Sequence, residues 1–213
     1  MGAWVGFRVT DWHDTGSRRS WSWEVLGVPA TAHTVTATGP GRCRVEIAVI
    51  PGMEVSTDAG HVLTFGVDHY TLEMYSVERL RHIVESEGGA MVLAHPTRSP
   101  GFGRPWEQAP ELFEALECMN GDDHHGASSV VFSLASSLGM WGTGGSDAHS
   151  RQAVARCVTR FERHIQDEHE LAEALREGGY QPLLRSPEGA YVVPPALARR
   201  EPAGGLLLGP NRG

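Results

Sequence analysis

The sequence predicts an α/β protein with a largely parallel sheet or barrel. Short apolar, β-branched runs alternate with segments of helical periodicity. One run, Ala90 to Ala94, is wholly apolar, as suits a strand buried on both faces. Histidines and acids recur near the ends of such runs, where ligands gather in folds of this kind.

The elements follow in chain order. Val5 to Val9 reads as a strand, ended by the polar turn Thr10 to Thr15. Residues 16–43 show little periodicity and are expected to form a loop. Val45 to Ile50 is a β-branched strand punctuated by Pro51-Gly52, and Met53 to Ser56 continues as a short one. Asp58-Ala59-Gly60 is a turn, and His61 to Val67 is the next strand. Ser76 caps a helix that carries Val77, Leu80, Ile83 and Val84 on one face and stops at Gly88-Gly89. The strand Ala90 to Ala94 ends at His95-Pro96. Residues 98–110 form a loop, Glu111 to Leu116 a short helix, and Glu117 to Met119 a strand end. Ala127 to Leu138 is a second long helix. Met140 to Thr143 is a strand that runs into Gly144-Gly145-Ser146-Asp147-Ala148-His149. Cys157 to Phe161 is a further strand. Asp167 and Glu170 form a capping box for a helix over 168–177, closed by Gly178-Gly179. The expected organisation is one domain over residues 1–193 and a loose Pro/Gly/Arg-rich tail over 194–213.

Composition narrows the partners. The 213 residues carry a net charge of −8, and every basic side chain apart from histidine is arginine. Such a chain is a poor candidate for duplex nucleic acid. A phosphate substrate would need a local site, a metal ion or an arginine, to overcome the overall field. No apolar run approaches a membrane span, and no signal peptide is visible. Three well-separated cysteines without CxxC spacing point to reduced thiols, hence to a cytoplasmic protein.

Six side chains form the candidate metal centre. Glu54 lies in an apolar strand, where a carboxylate needs a partner. His61 opens a strand directly after a turn, and His95 ends a buried strand before a proline. Asp147 and His149 are two residues apart, which on an extended segment aims both side chains the same way. His13 sits in Asp11-Trp12-His13-Asp14, at another strand end. Each has an ordinary reading, such as a surface turn or a hydrogen-bonded core histidine. Together, at one end of successive strands, they point to a His/carboxylate centre for Zn²⁺ or Mn²⁺, with room for more than one ion. Glu54, with two carboxylate oxygens, is the natural bridge.

The strings Ile50-Pro51-Gly52-Met53-Glu54-Val55-Ser56-Thr57, Gly60 to Gly66, Val92-Leu93-Ala94-His95-Pro96 and Gly145-Ser146-Asp147-Ala148-His149 occur in an order that resembles the polymerase-and-histidinol-phosphatase (PHP) superfamily. Val9 to Thr15 resembles an earlier motif of that family, with Trp12 as an insertion. Glu117 and Asn120 fall where the family often has a Glu and an Asn. The resemblance implies a distorted (β/α)7 TIM-like barrel with up to three divalent ions. Glu54 would bridge two of them, His61 and His95 would complete one, Asp147 would bind the other, and His13 and His149 would serve the third. The family's opening His-x-His pair has no counterpart here, and His124-His125 are adjacent. The expectation is therefore an incomplete barrel, either truncated before its second strand or degenerate, with its first metal-binding segment missing.

The expected activity is metal-dependent hydrolysis of a small phosphomonoester or phosphodiester, impaired by that missing segment. Asp147 or His149 would assist proton transfer, and Arg98 would hold a phosphate oxygen. The alternative is an inactive PHP-like metal-binding or regulatory module. A polymerase proofreading role finds no polymerase segment beside it.

Overall fold

The computed structural model describes residues 7–14, 19–25, 33–38, 44–98, 101–122, 125–150, 152–187 and 189–194; up to Val49 and over 125–128 the description is of the backbone. Two antiparallel hairpins come first. β1 (Phe7–Asp14) pairs with β2 (Arg19–Val25), and β3 (His33–Thr38) pairs with β4 (Arg44–Val49). The stretch expected as a loop over 16–43 thus carries two strands. Its Thr/Val alternation over 33–38 is a strand signal of period two.

The main sheet has five strands in sequence order: β5 (Met53–Thr57), β6 (Gly60–Phe65), β7 (Ala90–Leu93), β8 (Ala115–Asn120) and β9 (Trp141–Gly145). β5 and β6 form a tight antiparallel hairpin. Gly60 takes φ 107° at its corner, a conformation that favours glycine. β6 and β7 are also antiparallel, joined through α1 (Val77–Ser86), while β7–β8 and β8–β9 are parallel. α2 (Ala109–Leu112) and α3 (His125–Ser137) lie in those two crossovers. A second, three-stranded antiparallel sheet contains β10 (Cys157–Phe161), β11 (Tyr180–Arg185) and β12 (Tyr191–Val192), with α4 (Glu168–Glu177) between β10 and β11. It meets the main sheet at β9, where the Thr159 hydroxyl bonds both the N–H and the C=O of Gly144 at 2.9 Å.

The predicted barrel is therefore corrected. The described residues form a mixed α/β structure with sheets of five and three strands, and these sheets do not close into a barrel. A (β/α) barrel needs parallel strands throughout, each return made by a crossover. Here two of the four ladders of the main sheet are antiparallel, and β5 is an edge of its sheet.

The helices follow their sequence signals. The Ser76 hydroxyl accepts from the Arg79 N–H to cap α1, and Val77, Leu80 and Val84 are fully buried beneath it. They join Val55, Val62, Met91, Leu93 and Leu116 in one core; burying each such side chain stabilises by about 1.5–3 kcal/mol. On α4, Asp167 accepts from the Glu170 N–H at 2.8 Å, while the Glu170 carboxylate reaches back to the Gln166 N–H rather than to Asp167. α4 covers the other face of the sheet through Ala172 and Leu175, against Ala90, Val92 and Tyr180. No helix among the described residues is long and apolar enough to cross a membrane. The expected tail, from residue 195 onward, lies outside the described residues.

Candidate metal centre

Alternation along the β5–β6 hairpin determines which side chains can meet. Val55 and Val62 point into the core, so Glu54 and His61 face the opposite side. Glu54 is paired across the ladder with Leu63, and His61 with Ser56, which leaves Glu54 and His61 as diagonal neighbours on one face. β7 lies next to β6, with the Ala94 N–H donating to the His61 carbonyl at 2.9 Å. His95 follows immediately. Glu54 Oε1 therefore lies 2.9 Å from His61 Nδ1 and 3.3 Å from His95 Nε2. The two imidazoles meet edge to face with centroids 5.0 Å apart.

Donor atoms of Glu54, His61 and His95 all fall within 4.8 Å of one another. A tetrahedral ion with bonds of about 2.0–2.1 Å spaces its donors roughly 3.3 Å apart. The one-carboxylate, two-imidazole set is one that could hold Zn²⁺ or Mn²⁺ by its donor chemistry. The His95 hydrogen bond holds the Glu54 carboxyl down to about 2; burial opposes this, and the charge of His61 adds to it. Burial and the Arg98 charge act to lower the His95 pKa, but the hydrogen bond to Glu54 and the charges of Glu117 and Glu54 outweigh them, so His95 is raised overall.

The second half of the site stands at the carboxyl ends of β7, β8 and β9. Arg98 Nη1 donates to Asp147 Oδ2 at 2.6 Å, and Nη2 to Asn120 Oδ1 at 2.9 Å. Asn120 Nδ2 donates to Glu117 Oε2 at 2.9 Å and to Asp147 Oδ2 at 3.3 Å. Glu117 Oε2 also accepts from the His95 backbone N–H at 2.8 Å. Glu117 is buried in β8 among Ala115, Leu116, Cys118 and Met119, and burial pushes its carboxyl pKa up against those hydrogen bonds. A Cβ at Gly145 would meet Glu117 Oε1, so a larger residue there would push that carboxylate out of place. Both halves line one cleft of about 680 Å³, walled by Glu54, His95, Glu117, Asn120, Asp147 and His149 among others.

Three non-glycine residues among those described take positive φ, and two of them are His95 (26°) and Asp147 (46°). Such backbone costs on the order of 1–3 kcal/mol per residue and persists only where neighbours over-determine it. At His95 they do. Its N–H is held by Glu117 and its carbonyl accepts from the Arg98 N–H at 2.9 Å.

The six predicted residues divide. Glu54, His61 and His95 come together. Glu54 does so from the second position of β5, by facing across the sheet and not from a strand's carboxyl end. Asp147 and His149 lie beyond the end of β9, and the left-handed turn at Asp147 replaces the extended segment expected there. Asp147 is 12% exposed while His149 is 72% exposed, its Nδ1 set 2.9 Å from the Asp147 carbonyl oxygen. His13 lies on β1, paired with Ser20, and its side chain is outside the described residues. Arg98 is placed at Asp147 and Asn120. The roles of Glu117 and Asn120 in supporting His95 and Asp147 were not read from the residues. An acid in the apolar run Ala115-Leu116-Glu117-Cys118-Met119 was the available signal.

Residues 130–180 match the family described as PHP-associated. No curated protein matches the chain. Among solved structures, the crystal structure of PsfC from Pseudomonas syringae PB-5123 is similar, with 23% identity and a TM-score of 0.52. The similarity covers 64% of this chain, which spans 59% of that one. At that identity the likeness is one of fold. These findings associate the chain with PHP proteins through residues 130–180, a segment that carries Asp147 and His149 but not Glu54, His61 or His95.

Proposed function

We propose that the chain is a metal-dependent phosphoesterase acting on a small phosphate ester at this cleft. The observation that carries the reading is the Glu54 carboxylate lying between His61 Nδ1 and His95 Nε2 at the wall of a cavity. Lewis acidity toward a phosphoryl oxygen and toward water is the chemistry that a divalent ion would supply there. Glu54, His61 and His95 would hold the ion, and Glu117 fixes the backbone that aims His95. His149, at the exposed rim, is positioned to pass a proton to solvent. The Arg98 guanidinium, held by the cleft residues Asp147 and Asn120, would have to leave them to meet an anionic substrate. The cavity volume suits a small ester or a mononucleotide.

A second reading, a PHP-like metal-binding module without turnover, is favoured by one observation: the Asp147 carboxylate is already paired with Arg98. Hydrolysis of p-nitrophenyl phosphate by the metal-stripped chain, with and without added Mn²⁺ or Zn²⁺, separates the two. The phosphoesterase reading expects metal-dependent turnover that His95→Ala removes. Tight metal uptake without turnover gives the second reading, and no metal uptake defeats both.

A further inference from the structure

We infer that Arg98 serves as a tethered cation at Asp147 and restricts the cleft to one divalent ion, that held by Glu54, His61 and His95; this rests on the metal-site reading above. Asp147 Oδ2 and Asn120 Oδ1 are oxygen donors from two separate segments, brought to one point at the cleft wall. Carboxylate and carbonyl oxygens of this kind suit a hard cation such as Mn²⁺ or Mg²⁺. The position they converge on is taken by the Arg98 fork, with one N–H donor to each oxygen at 2.6 and 2.9 Å. A guanidinium does not deprotonate, so it stays a cation beside the largely buried Asp147 carboxylate.

The tether is short and rigid. Arg98 is three residues after His95, and its N–H closes the turn on the His95 carbonyl at 2.9 Å. Phe102 N–H then bonds the Pro96 carbonyl at 3.1 Å. One turn thus delivers an imidazole to the Glu54 side of the cleft and a permanent cation to the Asp147 side. A second divalent ion at Asp147 would have to displace that guanidinium and then lie beside it, and like charges at such range repel strongly.

The test is titration of the metal-stripped full chain with Mn²⁺, by calorimetry and by elemental analysis after gel filtration. The wild type is expected to take up one ion per chain. Arg98→Met, which keeps the bulk and removes the charge, is expected to take up two. Asp147→Asn is expected to stay at one, with affinity within threefold of wild type, and it keeps the inference testable should Arg98→Met misfold. Two ions in the wild type, one of them lost in Asp147→Asn, would overturn this inference and leave the Glu54 centre standing. Retention of one ion by folded Arg98→Met also overturns it. A wild type that takes up no ion removes the metal-site reading itself.

Discussion

The two walls of the cleft neutralise their carboxylates in opposite ways. On the β5–β6–β7 side Glu54 faces two imidazoles, whose charge depends on pH and which can exchange a proton for a metal ion. On the β8–β9 side Asp147 faces a guanidinium, whose charge does not change, and Glu117 is satisfied by N–H donors deep in the sheet. The first wall offers three donors that an ion could take. The second already supplies its own cation, and it also braces the first, because Glu117 grips the His95 backbone.

Substitutions can break that contrast. The largest effect is expected from His95→Ala, which removes an ion donor and should weaken Mn²⁺ or Zn²⁺ uptake by roughly 100-fold or more, whereas a loss confined to the ligands' supports costs about 10–100-fold. His149→Ala, on the other wall, should leave that affinity nearly unchanged; calorimetric titration compares them. Next comes Glu117→Leu. It strips the His95 N–H and the Asn120 amide of their shared acceptor in a buried place, so a loss of roughly 3 kcal/mol is expected from chemical denaturation. Glu117→Gln, which keeps one accepting oxygen, should cost less than half of that.

The pH response sharpens the comparison further. Glu54 has a depressed pKa, so its contribution to stability is present above the ordinary carboxylate value of 4.5 and is lost as pH falls toward about 2. His95 has a raised pKa, so its contribution is present at low pH and is lost as pH rises through that raised value. The metal-stripped chain should therefore gain most from this wall between the two values and lose stability on either side, as followed by thermal melts across pH. Protonated His95 cannot ligate, so ion affinity should fall as pH drops below the raised value. Glu54→Gln should flatten both responses. The smallest effect is reserved for a position far from both walls. Asp167→Ala removes the cap of α4 and should cost about 1 kcal/mol without altering ion affinity.

Much of the framework was legible in the sequence because its signals are local. Ser76 and Asp167 bond the N–H groups three residues on, so the starts of α1 and α4 can be read from a few residues. Ala90 to Ala94 is apolar throughout because both faces of β7 are covered, and His95-Pro96 marks its end. The strands over 19–25 and 33–38 were missed, although Thr/Val alternation was present at the second.

Strand direction was not legible, since an apolar run looks the same in a parallel or an antiparallel ladder. That choice, made by the tight β5–β6 hairpin and the return through α1, is what replaces a barrel by an open mixed sheet. Donor chemistry was readable from residue types: a carboxylate in an apolar strand and histidines beside strand ends, which only a cation or hydrogen bonds can satisfy. The pairing came from the folded arrangement. It set Glu54 against His95 across 41 residues of chain and Arg98 against Asp147 across 49, and beyond the left-handed turn at Asp147 it left His149 at the exposed rim. The reason is physical. Residue type limits what a side chain can bind, but which partner it meets depends on strand register and on turns whose dihedral angles are imposed by the surrounding hydrogen bonds.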